Sequence, residues 1–132
     1  MRAKEFWIMD YETIVNCFVA VFSSHTDDSR KIFVIHPLRN DIDELIEFLR
    51  ENANNKDWHL GFNNLAFDAQ ITEFILSRAE YLKNMESASD IAEVIYAYAQ
   101  SVIEKSNNGE WLDYPEFKLS IPCVDVFKLN HW

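Results

Sequence analysis

The sequence predicts an α/β layer protein, a mixed sheet with helices packed against it. Three observations lead there. Three β-rich segments follow one another across links short enough for antiparallel pairing. An amphipathic helical pattern then returns the chain to a fourth β-segment, which makes that segment parallel to its neighbour in the sheet. Two more helical patterns precede a last β-rich stretch. With 132 residues, 48% of them hydrophobic, the chain is sized for one domain with its own core, and ten Phe, five Tyr and four Trp argue against disorder.

The first strand covers residues 5–12, the second 15–24 (VNCFVAVFSS) and the third 31–36 (KIFVIH). Thr13-Ile14 and the polar stretch HTDDSR link them, and Pro37 stops the third. In the first strand Phe6, Ile8, Asp10 and Glu12 share a face, with the apolar pair expected to anchor it. A helix follows at 40–52 (NDIDELIEFLREN), capped by Asn40 or Asp41, with Ile42, Leu45, Ile46 and Leu49 as its inner stripe. WHLGF (58–62) is the fourth strand. The spacing predicts a second helix from Leu65 to Leu82, with Ile71, Phe74, Ile75 and Leu82 inward. A third is predicted from Ser89 to Glu104, its core stripe being Ile91, Val94, Ile95, Tyr98 and Val102. NNGEWLDYPEF (107–117) reads as a packing loop, with guidance of a single strand as the alternative, and KLSIPCVDVFKL as one or two strands interrupted at Pro122.

Two Gly and three Pro leave no room for low-complexity linkers, and no internal repeat is visible. Cys17 and Cys123 have no CxxC or Cys/His neighbours and read as two buried thiols in a reducing cytosol. His25, His36, His59 and His131 lack ligand spacing and read as surface or turn residues. No signal peptide and no run long enough to span a bilayer is found, so a cytoplasmic protein is expected, without membrane contact. The formal charge of −10 does not suit a protein that tracks phosphates by basicity alone. It does suit one that concentrates carboxylates for a divalent cation.

Two motifs carry the chemistry. In FWIMDYET (6–13) an apolar strand ends in Asp10 and Glu12, one residue apart and on one face, where their charges repel. Hard oxygen donors of this kind suit Mg²⁺ or Mn²⁺. In HLGFNNLAFDAQITEFIL (59–76) Asp68 lies on the stripe of Ile71, Ile75 and Leu82, so it faces the sheet from the start of a helix. The bland alternatives are a strand that ends in solvent, and a helix closed by Asn63 or Asn64 with Asp68 complementing its dipole. Because the topology sets the fourth strand beside the first, Asp10, Glu12 and Asp68 are expected to converge. Such a group suits two ions that activate an attacking water and stabilise a leaving oxygen.

MDYET resembles the first motif (DxE) of the DEDD-type 3′–5′ exonucleases, and NNLAFD their second. The likeness is greatest to the exonuclease domain of family B DNA polymerases of the protein-primed phage type, over residues 5–82 and more loosely 116–132. The resemblance implies an RNase H-like fold and hydrolysis of single-stranded DNA from its 3′ end, in proofreading or as a stand-alone nuclease in a bacterial or phage-infected cell. It implies that Asp10 bridges two Mg²⁺ or Mn²⁺ ions, that Glu12 holds one of them and orients the water, and that Asp68 serves the other. It further implies that Thr13, Asn64, Leu65 and Phe67 hold the terminal nucleotides.

The family's third motif, Tyr-x3-Asp or His-x4-Asp, is missing: Asp90, Asp113 and Asp125 are the aspartates after Asp68, and none has that spacing. Asp125 matches a strand position with no catalytic duty. The chain is therefore expected to be the N-terminal portion of a longer exonuclease or polymerase, weakly active or inactive by itself. An apolar stripe left exposed by such truncation would favour a homodimer. Two other classes stay open. One is a catalytically incomplete RNase H-like binding module. The other is an acidic interaction protein, in which Asp10 and Glu12 matter no more than Asp27 and Asp28.

Overall fold

The computed structural model describes residues 4–126. It is an α/β structure with one six-stranded mixed sheet in the order β4-β3-β2-β1-β5-β6. Strands β1 (Phe6–Ile14), β2 (Cys17–Ser24) and β3 (Arg30–His36) form the expected antiparallel meander, and the two-residue β4 (Arg39–Asn40) extends it. Helix α1 (Ile42–Asn55) then returns the chain to β5 (Trp58–Gly61), parallel to β1. After α2 (Asp68–Ser77), α3 (Ala79–Lys83) and α4 (Ala88–Asn107), β6 (Cys123–Asp125) adds parallel to β5.

The core lies on one face of the sheet. Trp7, Met9 and Tyr11 of β1, Phe18, Ala20 and Phe22 of β2, and Phe33 and Ile35 of β3 point into it. The inner stripes of α1 (Ile42, Leu45, Ile46, Leu49), α2 (Ile71, Ile75) and α4 (Ile91, Ala92, Ile95, Ala99) cover them. Phe22 sits at the centre, its ring against Tyr11, Phe33, Phe48 and His59. Phe6 and Ile8 do share a face with Asp10 and Glu12, but they do not anchor the strand. That face is the exposed one, with Ile8 52% accessible. Both faces of β1 are apolar near its start, so period-two alternation cannot choose between them.

Three local expectations are corrected. The 65–82 helix divides into α2 and α3 at Arg78. Ser77 Oγ donates back to the Phe74 carbonyl at 3.0 Å, a bond that competes with the helical ladder at that turn. His59 is buried rather than in a turn, with its Nε2 3.1 Å from Asn52 Nδ2, and burial pushes its pKa down to about 4 against the raising effect of Asp57. A 3₁₀ turn (Glu116–Lys118) leads into the 118–129 stretch, whose described residues give only the short β6, and its residues after 126 lie outside the described ones. The 107–117 stretch is not packed down through Trp111 or Phe117, both of which are exposed. Gln70 clamps it by donating to the Tyr114 carbonyl at 2.7 Å and accepting from the Tyr114 N–H at 3.0 Å.

Gly61 ends β5 where the backbone passes close to the next turn. A Cβ at position 61 would lie 3.0 Å from Asn64 Cβ. Gly61→Ala is expected to cost about 1–3 kcal/mol by overpacking, read from urea unfolding. An unchanged midpoint would show that the 62–67 loop yields freely.

Candidate functional site

The site is built where β5 stops. Parallel pairing with β1 runs only to Ile8↔Leu60, so the Asp10–Glu12 stretch of β1 continues beyond β5. The 62–67 loop and the start of α2 follow immediately after β5, at the C-terminal ends of the parallel strands, where ligands collect in open α/β sheets. Tyr11 hydroxyl and Thr72 Oγ1, 2.6 Å apart, fasten β1 to the second turn of α2.

Asp10 and Glu12 are exposed on the uncovered face of β1. Asp68, the first residue of α2, is 5% accessible. Burial, and then the charges of Asp10, Glu12 and Asp125, push its pKa up to about 8. Water can no longer solvate this carboxylate well, and three like charges oppose its ionisation. The expectation that Asp68 turns inward is met. The charges of Asp10 and Glu12 act on Asp68, yet among the described residues no three or more His, Cys, Asp or Glu side chains are gathered as a metal-holding group.

The other sequence-derived site residues are dispersed. Alternation places Thr13 on the Tyr11 face of β1, across the strand from Glu12. Asn64 is buried, its Nδ2 donating to the His59 carbonyl at 3.4 Å while its Oδ1 has no hydrogen-bond partner among the described residues. Leu65 is buried too, and Phe67 is half-buried at the N-cap of α2. Neither Asn63 nor Asn64 caps α2 through its side chain.

Two residues of the site went unrecognised in the sequence. Asp125, at the end of β6, accepts the Asn63 N–H at 2.8 Å and the Leu65 N–H at 3.3 Å. It thereby holds the loop in which Asn63 adopts a left-handed backbone, φ 58°. Gln70 holds the same loop from the helix side, donating to the Leu65 carbonyl at 3.0 Å. The signal for Asp125 was present: a charged residue in an otherwise apolar strand needs buried partners. The partners themselves are far away in sequence.

Compared with family models, curated proteins and solved structures, the chain matches none of them. No described helix is long and apolar enough to cross a membrane.

Proposed function

We propose that this chain carries the carboxylate site of a DEDD-type 3′–5′ exonuclease with an RNase H-like fold, acting on single-stranded DNA ends with Mg²⁺ or Mn²⁺. One observation carries the reading: a buried Asp68 in electrostatic reach of Asp10 and Glu12, at the C-terminal end of the parallel strands, with its pKa pushed up to about 8. Carboxylate oxygens suit a hard divalent cation, whose charge would offset the repulsion on Asp68, though among the described residues the three acids are not gathered into a metal-holding group. The strand order β3-β2-β1-β5-β6, antiparallel and then parallel, supports the fold.

Asp10, Glu12 and Asp68 would hold the cations, which supply the Lewis acidity and the activated water for phosphodiester hydrolysis when bound. Glu12 orients the water by accepting its hydrogen bond. Asp68 enters as the carboxylate, so it must release its proton before it can act as a ligand. Tyr11 and Thr72 fix α2 against β1, and Asp125 and Gln70 fix the loop before it. Phe67 offers an aromatic face to a base, a contact indifferent to sequence.

Incubation with a 5′-labelled single-stranded oligonucleotide and Mn²⁺ is expected to give products shortened from the 3′ end. The Asp10→Ala, Glu12→Ala double variant should give none. Mn²⁺ affinity, read by calorimetry, should fall at least tenfold in Asp10→Ala; equal affinity in the two proteins would overturn the site. The missing third motif favours one other reading, the catalytically incomplete binding module. It predicts Asp10-dependent Mn²⁺ binding with no cleavage.

A further inference from the structure

The sheet's other face, away from the core, is apolar as well. Ile8 of β1, Val19 and Val21 of β2, Ile32 and Val34 of β3 and Leu60 of β5 alternate with the core residues and point outward, and Ile8 and Ile32 are exposed. Register joins them into one patch: Val34 pairs with Val19, Ile32 with Val21, and Ile8 with Leu60. A sheet that turns one face to water normally carries polar residues there. A contiguous apolar area of this kind marks a surface that another molecule covers.

The charges on the face say what that molecule is. Asp10 pairs with Val21 and so stands in the row of Ile32; Glu12 pairs with Val19 and stands in the row of Val34. Arg30 lies on the same face of β3, two residues before Ile32. All three charged residues are exposed, and none makes an ion pair with another described residue. The face is therefore acidic on one side of β2 and basic on the other. Such a surface is its own complement when a second copy is turned over about an axis running along β2. Val19 and Val21 then meet the same two residues of the second copy, and β1 of each copy lies over β3 of the other. Asp10 falls opposite Ile32 of the second copy, about 7 Å along the strand from Arg30, within reach of a guanidinium between sheets about 10 Å apart. The alternative two-fold axis, across the strands, would set β1 on β1 and the carboxylates of both copies face to face, and charge rejects it.

We propose that this face docks onto a second copy of the chain, in a sheet-on-sheet dimer packed through Val19, Val21 and Ile32 and registered by Asp10–Arg30 pairs. The α4 stripe has no part in it, since Ile91 and Ile95 belong to the core. The dimer covers Asp10 and Glu12. On the nuclease reading above, on which this one consequence rests, the second copy and the cations compete for the same carboxylates, and the dimer is the closed form of the site.

Sedimentation velocity of the full chain without metal tests the surface, over about 1–100 µM, a range suited to an interface of modest size. A shift from monomer to dimer with concentration is expected. Arg30→Glu and Asp10→Lys, both at exposed positions, should each raise the dissociation constant about tenfold, and the double variant, which exchanges the charges, should restore it to within about threefold of the parent. Saturating Mn²⁺ should weaken the parent dimer about tenfold. A monomer at every concentration would overturn the docking surface. So would a dimer indifferent to both single variants, or a loss that the double variant does not recover. Mn²⁺ that binds through Asp10 yet leaves the dimer intact would overturn the closing of the site. If Mn²⁺ binding proves independent of Asp10, the nuclease reading fails separately, and the charge exchange still decides the dimer.

Discussion

Asp68→Asn is expected to stabilise the metal-free protein at pH 8 and to remove its response to Mn²⁺. Folding raises the Asp68 pKa from 3.8 to about 8. The folded state therefore holds a proton that the unfolded state has lost, and the stability present below pH 3.8 drains away as pH rises through about 8. At about 1.4 kcal/mol per unit the shift sets an upper bound of roughly 6 kcal/mol, and relaxation around the carboxylate brings the expected gain of the Asn variant to about 2–4 kcal/mol. In thermal melts at pH 8 that is a rise on the order of 10 °C.

His59 works in the opposite direction. Its folded pKa is lowered from 6.5 to about 4, so its contribution is complete above pH 6.5 and is lost as pH falls toward 4. The metal-free protein should accordingly vary little in stability between pH 4 and 6.5, where the two effects oppose, and lose stability from pH 6.5 to 8, where Asp68 alone titrates. The Asn variant should be flat over that upper range. Saturating Mn²⁺ should raise the melting temperature of the parent protein more at pH 8.5 than at pH 6, because the ligand is the ionised carboxylate. A Mn²⁺-induced shift of the same size in Asp68→Asn would rule out Asp68 as a ligand.

Asp125→Ala is expected to have the second large effect. It removes the acceptor of two backbone N–H groups, one of them buried, in the loop that carries Asn63 through its left-handed conformation. Hydrogen bonds to a charged group contribute about 1.5–3 kcal/mol each, and an orphaned buried donor adds its own desolvation cost. A loss of about 2–4 kcal/mol in urea unfolding is expected, with Asp125→Asn, which keeps one acceptor oxygen, near half of that. The two variants should separate in hydrogen exchange as well: the Asn63 and Leu65 amides should exchange much faster in the Ala variant, while those of β2 keep their protection. Amides of unchanged protection in Asp125→Ala would mean that the loop is held from α2 alone, through Gln70.

Much of the framework follows from local sequence. Alternation and short links fix β1 to β3 as a meander, because side-chain period and turn length act within a few residues of one another. The helical stripes of α1 and α4 are legible for the same reason, and so is the inward position of Asp68, which shares a stripe with Ile71 and Ile75. The identities of Asp10, Glu12 and Asp68 could be picked out; their mutual arrangement could not. Which face of β1 is buried was decided by its partners: pairing with β2 places Trp7, Met9 and Tyr11 on the side of Phe18, Ala20 and Phe22, and the helices cover that side because it holds the larger apolar surface. The interior position of His59, the grip of Asp125 on the 62–67 loop and the clamp of Gln70 on the 107–117 loop each join segments distant in sequence, Asp125 and Asn63 being 62 residues apart. The sequence supplies such groups, but a buried polar atom is satisfied only by whatever the packed chain brings within about 3 Å of it, and that is settled by the tertiary structure.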